Sequence, residues 1–276
     1  MLQIIPISKR TNQVDSDKIK YIENVPHDSM AKKYNRAIEQ FVLNSDEKYI
    51  CFRHEDTELR TPLDVIEFKV DKVCQEYNAA VMGVIGTIAL DQGCAWWHGV
   101  PSAGGRANYG AGSIIQGGTR PKLDENKKPV LDDKGNPVME HYEYPMNDLP
   151  GNHKFMATVD GCCMFFPKWF FEKGFRFDEL LPDFHFYDAD ICLQALAAGY
   201  KVATVAVAVK HESQGELPKN WEQLRLNFYN KWTSAVNGNW PISRLSKFDM
   251  SRIKTMPIKK PEVKKETDNG TENEKT

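Results

Sequence analysis

The sequence predicts one α/β domain built on a mainly parallel central sheet with helices on both faces and a long loop and hairpin insertion. Three observations predict it. Short β-favouring runs alternate with amphipathic helical stretches along most of the chain. One stretch, from about Asp91 to Gly151, breaks this alternation and is rich in Gly, Pro, Asn and charge. A length of 276 residues suffices for one large α/β domain with a core of ordinary size.

Leu2 to Ile7 reads as a short buried strand, and Lys18 to Asn24, with Ile19 and Ile22, as a second; together they open a parallel sheet. From Ser29, placed to cap a first turn, Ala31, Tyr34, Ala37, Ile38, Phe41 and Val42 recur at helical spacing, and the helix ends near Asn44. Tyr49 to Phe52 is a brief β-favouring run that stops at Arg53-His54-Glu55-Asp56, and Pro62 then starts a helix reaching Tyr77. Ala79 to Leu90 reads as a buried strand. Inside the insertion, KLDENKKPVLDDKGNPVMEHY carries the D-K-G-N turn chemistry of a hairpin. Beyond it, Met156 to Phe166 reads as a strand, Lys168 to Lys173 as a short helix and Tyr187 to Ala198 as an amphipathic helix. Lys201 to Val209 is a β-branched strand leading to His211, and Trp221 to Trp232 a helix packed on the sheet. No repeat of fixed period is found. The domain is expected over residues 1–250, and residues 257–276, lysine and glutamate with almost nothing apolar, form a disordered tail.

Composition excludes several classes of function. With 36 basic and 38 acidic residues the net charge is −2, so nothing global draws the chain to phosphate backbones or anionic membranes, although local lysines at 168, 173, 201 and 210 could meet a phosphate. Cysteines 51, 74, 94, 162, 163 and 192 form no C-x-x-C pair and several lie in apolar runs, which fits a reduced, cytoplasmic protein. The start MLQIIPISKR lacks an export pattern, and no run of 18 apolar residues offers a membrane span. A phosphate-cradling Gly-x-x-x-x-Gly-Lys loop, a serine nucleophile elbow and a cysteine-rich zinc site are all missing.

A sheet of this class holds its ligand beyond the carboxyl ends of its strands, so candidates are sought there. His54-Glu55-Asp56 follows an apolar strand directly and places metal ligands where a divalent ion could bridge two phosphates; equally, its carboxylates could favour the start of a helix. Asp188 and Asp190 enter the first turn of a helix, either as first-turn acids or, for Asp188, as acceptor of the proton of an attacking hydroxyl. His211 stands at a strand exit, as a loop histidine or as an imidazole completing a metal shell. Trp96-Trp97, beside His98 and a run of glycines, offers rings that stack on sugars or that anchor a loop. Asp160-Gly161 ends a strand as a turn or as a carboxylate for a sugar hydroxyl.

Taken in order, AKKYNRAIEQ from Ala31, YICFRHEDTEL from Tyr49, VMGVIGT from Val81, Trp96-Trp97, VDGCCMFFPK from Val159, FRFDELLPDFHFYDADICLQALAAGYKV from Phe175 and VKHESQGE from Val209 resemble the GT-A glycosyltransferases of the family 2 type. More narrowly they resemble the StrF-like domain, a group named after a streptomycin-biosynthesis protein. The likeness spans roughly residues 30–232. It implies a nucleotide-diphosphate sugar as donor, a UDP-sugar first, and Mn²⁺ or Mg²⁺ as cofactor. Asp56 is then the main metal ligand, His54 occupies the usual first acidic position with Glu55 beside it, and His211 matches a later histidine ligand. Asp188 falls where an inverting enzyme keeps its base. Asp160 and Gly161, with Trp96, Trp97, Tyr187 and Asp190, border the sugar and acceptor, and Pro6, Ile7, Ser8 and Glu23 are the candidates for the nucleotide base. The family's first helix, between Ile7 and Lys18, is missing or reduced to a turn. The acceptor stays open among polysaccharide, protein, lipid and modified nucleobase. Two other functions compete: a decayed domain acting as a carbohydrate- or partner-binding module, and a phosphodiester hydrolase, for which the dense acidic cluster of a two-metal site is missing.

Overall fold

The computed structural model describes residues 1–7, 13–25, 28–90, 93–99, 110–147, 149, 151–212 and 217–235. Ser8 and the tail at 257–276 lie outside them. Along the chain run β1 (Leu2–Ile7), β2 (Ile19–Glu23), α1 (Met30–Ala37), β3 (Tyr49–Arg53), β4 (Thr57–Leu59), α2 (Leu63–Tyr77), β5 (Ala79–Gly83) and β6 (Ile85–Thr87). After these come β7 (Gly110–Pro121), β8 (Met139–Asn147), β9 (His153–Phe155), β10 (Thr158–Val159), β11 (Cys163–Pro167) and α3 (Lys168–Glu172). The chain continues through α4 (Tyr187–Ala197), β12 (Lys201–Val205), β13 (Val209–His211) and α5 (Trp221–Ala235).

The central sheet has the order β2-β1-β3-β11-β5-β12-β9. β11 runs antiparallel to β3 and β5, and β9 antiparallel to β12, while the other five strands share one direction. One face is packed by α1, α3, α4 and α5 around Phe52, Phe166, Phe170, Phe171 and Phe177. The other carries α2, through Ile66, Val70, Val73 and Cys74. That face also meets a second sheet, β10-β6-β7-β13-β4, which periodicity did not predict.

Three runs expected as single strands are each divided between the two sheets: Ala79 to Leu90 into β5 and β6, Met156 to Phe166 into β10 and β11, and Lys201 to Val209 into β12 and β13. Apolar content is the same on both sides of each break, so the sequence pattern does not reveal the change of partner. Glycine permits it: a Cβ on Gly86 would stand 2.1 Å from the backbone oxygen of Thr158, the strand paired to it.

Local chemistry fixes the helices. The Ser29 hydroxyl accepts from the Lys32 N–H at 3.3 Å, as a cap does. Asn35 is the internal asparagine of α1. Its amide donates to the Phe177 carbonyl at 2.9 Å and its oxygen accepts the Phe177 N–H at 3.0 Å, so one side chain pairs with the backbone of the F-D-E segment as a strand would. The helical path continues as a π-helical turn to Val42.

The insertion is a long antiparallel ribbon of β7 and β8, paired from Ser113↔Asn147 to Pro121↔Met139. Its tip holds an eight-residue repeat that the sequence reading missed, LDENKKPV followed by LDDKGNPV. In both copies the aspartate, Asp124 or Asp132, accepts the N–H groups two and four residues on. Two copies sharing only Leu, Asp, Pro and Val leave little sequence signal.

Candidate functional site

β3 delivers the chain to the carboxyl edge of the sheet, where the His54 N–H donates to the Cys162 carbonyl at 2.9 Å. The Thr57 hydroxyl donates to the His54 carbonyl at 2.7 Å, closing a turn that aims His54 and Asp56 inward and leaves Glu55 exposed. Next to this turn β13 ends, and the Glu212 N–H donates to the Asp56 carbonyl at 3.0 Å. His211 and Asp56 are thereby joined through backbone. Their facing atoms, His211 Nε2 and Asp56 Oδ1, are 3.7 Å apart, both buried and both without a hydrogen-bond partner. Ligand atoms of His54, Asp56 and His211 all lie within 4.8 Å of one another, and so do those of Asp160, Cys162 and His211. Burial, aided by His211, His185 and Lys33, lowers the His54 imidazole to a pKa of about 3, so it is neutral, the form a ligand needs. Two orphaned buried polar atoms facing each other are costly unless something bridges them, and a divalent cation fits this set of ligand atoms.

On the opposite wall α4 begins after Phe186, a non-glycine residue with φ +68°. This αL start turns Tyr187 and Asp188 toward β11. The Tyr187 hydroxyl lies 2.6 Å from His54 Nε2. Asp188 Oδ2 accepts the Gly161 N–H at 2.9 Å and Oδ1 accepts its neighbour's, from Ala189, at 2.8 Å. Enclosure, and then the negative charge of Asp160, raise the Asp188 carboxyl to a pKa of about 7. Asp160 is itself raised, by burial first. Gly161 has to be glycine, because a Cβ there would be 2.1 Å from the Tyr187 hydroxyl.

These groups share a cavity of about 790 Å³, lined by His54, Asp56, Asp160, Tyr187, Asp188 and His211 together with Trp96 and Trp97. Among the further lining residues that were not anticipated are Gln116, Tyr142 and Tyr144 of the ribbon, and Phe184, His185 and Trp221. Trp97 packs on Trp221 at 5.4 Å, His185 on Trp221 at 5.0 Å, and Phe184 on His54 at 5.0 Å between ring centroids. Phe184 and His185 stand inside a motif already singled out, whereas the ribbon residues give no signal until β7 pairs with β8. Asp190 is elsewhere. It is fully buried and accepts from Lys231 Nζ at 2.5 Å, Trp232 Nε1 at 2.9 Å and Gln194 Nε2 at 2.7 Å, tying α4 to α5 rather than facing the cavity. Pro6 and Ile7 lie at the carboxyl end of β1, opposite Ile22 and Glu23 of β2, on the same sheet edge as His54 but outside the cavity lining.

A family model described as "Glycosyltransferase like family" matches residues 9–232. The chain belongs to this glycosyltransferase-like family. Its α/β architecture, five co-directional strands with a reversed β11 inserted among them and helices on both faces, is a GT-A fold carrying a transferase domain. Among solved structures it is similar to A197 from STIV at 11% identity, with 77% of this chain and 85% of that chain covered and a TM-score of 0.39. It is likewise similar to GalNAc-T7, solved with UDP, GalNAc and Mn²⁺, at 11% identity and a TM-score of 0.43, with 85% of this chain but only 41% of that chain covered. No curated protein matches the chain. None of the helices among the described residues is long and apolar enough to cross a membrane.

Proposed function

We propose that this glycosyltransferase-like chain, narrowly of the StrF-like group, moves a hexosyl or pentosyl group from a nucleotide-diphosphate sugar to an acceptor hydroxyl with inversion. A UDP-sugar is the first donor to test. The observation that carries the reading is one cavity holding both the unpartnered Asp56–His211 pair and Asp188. A divalent cation, Mn²⁺ or Mg²⁺, when bound supplies positive charge to a departing diphosphate. Asp56, His211 and His54 are the side chains that would hold it. Asp188 takes the proton of the acceptor hydroxyl as that oxygen bonds to the anomeric carbon and the bond to diphosphate breaks, a single displacement that inverts the centre. A carboxylate held near neutrality suits that role, and a binding module has no use for one. Asp160 and the Trp96 and Trp97 rings offer a hydrogen-bond acceptor and flat apolar faces to the sugars. Six free, buried thiols fit a reducing compartment such as the cytoplasm.

The test is release of nucleoside diphosphate from UDP-, GDP-, CDP- and dTDP-sugars, with and without Mn²⁺, by the wild type, Asp56→Ala and Asp188→Asn. One donor should turn over, only with metal, and each variant should lose about 100-fold or more. Equal release by wild type and Asp56→Ala would sink the metal-dependent reading.

A further inference from the structure

The cavity continues beyond the edge of the central sheet, along the inner face of the ribbon. β13 pairs with β7, and β7 with β8, so His211, Gln116 and Tyr144 stand in one row. The row on the inner side is Ile114 and Met146, both buried, and the next row outward on the same face is Gly118 and Tyr142. From Met146 to Tyr142 this face runs for roughly 14 Å, at about 3.4 Å per residue, which is longer than a single sugar ring. Tyr144, half-exposed, and Tyr142 both line the cavity. Gly118 turns the outer row into a platform. A Cβ there would stand 3.1 Å from Cε1 and the hydroxyl oxygen of Tyr142 and 3.2 Å from its Cζ, so the ring lies across bare backbone. The Arg120 guanidinium, held by Glu140 at 2.9 Å, is 5.3 Å from the centroid of the same ring and fixes it further.

The charges around this face favour an uncharged ligand. Among the described residues that line the cavity none is lysine or arginine, whereas Asp56, Asp160 and Asp188 all belong to its wall. Cations near the ribbon are already committed: Lys210 to Glu143 at 2.7 Å and Glu212 at 2.5 Å, and Arg60 to Glu58 at 3.0 Å. A phosphate backbone would meet carboxylates here in place of free ammonium groups. A sugar ring, with an apolar face bordered by hydroxyls, suits aromatic rings set among hydrogen-bond acceptors.

From this placement we infer that the acceptor is the end of an uncharged saccharide chain, its terminal ring at Asp188 and its following rings lying along the ribbon over Tyr144 and Tyr142. The inference rests on the transferase reading of the cavity and names its acceptor class. Buried Ile114 and Met146 fill the inner row, so the ribbon directs a chain outward, past the two tyrosines. Tyr144 and Tyr142 then determine specificity for length, because each further sugar ring finds another aromatic face.

The experiment is calorimetric titration of the full chain, with UDP and Mn²⁺ present, by linear gluco-, galacto-, manno- and N-acetylglucosamine oligosaccharides of one to four rings. One series should bind, with three rings at least about tenfold tighter than one. Tyr142→Ala should lose about fivefold or more on the three-ring sugar and nothing on the single ring, with its melting temperature and UDP affinity unchanged. Leu123→Ala, on the exposed tip, should lose nothing on either. Binding of no series, or equal affinity at every length, would overturn the inference. Tighter binding of a single-stranded oligonucleotide than of every sugar would replace the saccharide by a nucleic acid, and a loss of UDP affinity in Tyr142→Ala would give the ribbon to the donor. Donor turnover without length dependence keeps the transferase and removes the saccharide chain. Length-dependent saccharide binding in a protein that turns over no donor keeps the chain on the ribbon and removes the transferase reading.

Discussion

Asp188 shows how one side chain sets opposite pH trends for stability and activity. Its carboxyl is raised from 3.8 to about 7 in the folded chain. Between those values the folded state binds more protons than the unfolded one, so stability falls as pH rises through that window. The His54 imidazole, lowered from 6.5 to about 3, acts in the opposite sense, so the Asp188 contribution is read from the variant: in the metal-free protein Asp188→Asn should shift the melting-temperature difference between pH 5.5 and pH 8 in favour of the higher pH. Turnover should run the other way, since a base works only when ionised: kcat/KM should rise with pH along a limb at or below about 7, because a nearby cation lowers the pKa further. Thermal melts and initial rates across the same buffers check both, and a melting difference of the same size in the variant would show that Asp188 is not the titrating group. Gly161 is the second position where one atom decides. Gly161→Ala drives a methyl into the Tyr187 hydroxyl, 2.1 Å away, on a ring that is buried and held by His54. A loss of about 1–3 kcal/mol in urea unfolding is expected, with a loss of Mn²⁺ affinity alongside it.

At the scale of elements, α4 and α5 meet through a charged clamp instead of apolar contact alone. Lys231 bridges Asp190, fully buried, and Asp178, which is mostly buried. Lys231→Met leaves both carboxylates without the ammonium and should destabilise the fold by about 3 kcal/mol at pH 8. Burial already raises the Asp190 carboxyl and Lys231 opposes that rise, so without Lys231 the carboxyl protonates more readily. The deficit should then narrow as pH falls toward 5, which denaturation at two pH values measures; a deficit equal at both would assign the loss to packing. The same clamp explains an error in reading the sequence. Asp188 and Asp190 look alike on paper, yet two residues on a helix point about 200° apart, so one faces the cavity and the other the interior. His54, Asp56, Asp160, Tyr187, Asp188 and His211 were legible because strand ends and helix starts are local signals that the sheet brings to one edge. The division of three strands between two sheets was not legible, since it depends on which strand lies alongside and on glycines that let backbones meet. The cavity wall of Gln116, Tyr142 and Tyr144 was hidden for the same reason: those residues converge only through pairing across a ribbon.

Over the whole molecule, structure and composition point to a division of labour between a closely packed edge and a projecting ribbon. The inner part of β7 and β8 belongs to the cavity, whereas residues 121–137 are almost all exposed. Leu123, Leu131 and Met139, eight residues apart, are each more than half exposed, so the repeat adds nothing to the core. Its backbone bonds are also satisfied internally, with Lys122 N–H donating to Val138, Val130 N–H to Lys122 and Val138 N–H to Val130. A unit that neither packs on the domain nor borrows its hydrogen bonds should be removable. Pro121 and Met139 are paired partners, so replacing residues 122–138 with Asn-Gly closes the ribbon by a two-residue hairpin turn. The shortened chain should melt within about 2 °C of the wild type, because little apolar area is lost. It should bind UDP with Mn²⁺ unchanged, because no residue of 122–138 lines the cavity. Melting curves and Mn²⁺ titration check this, and a drop well beyond that margin would show that the tip supports the wall formed by Tyr142 and Tyr144. If both hold while transfer to an acceptor falls, the ribbon's outer end serves the acceptor, and the catalytic edge of the sheet works without it.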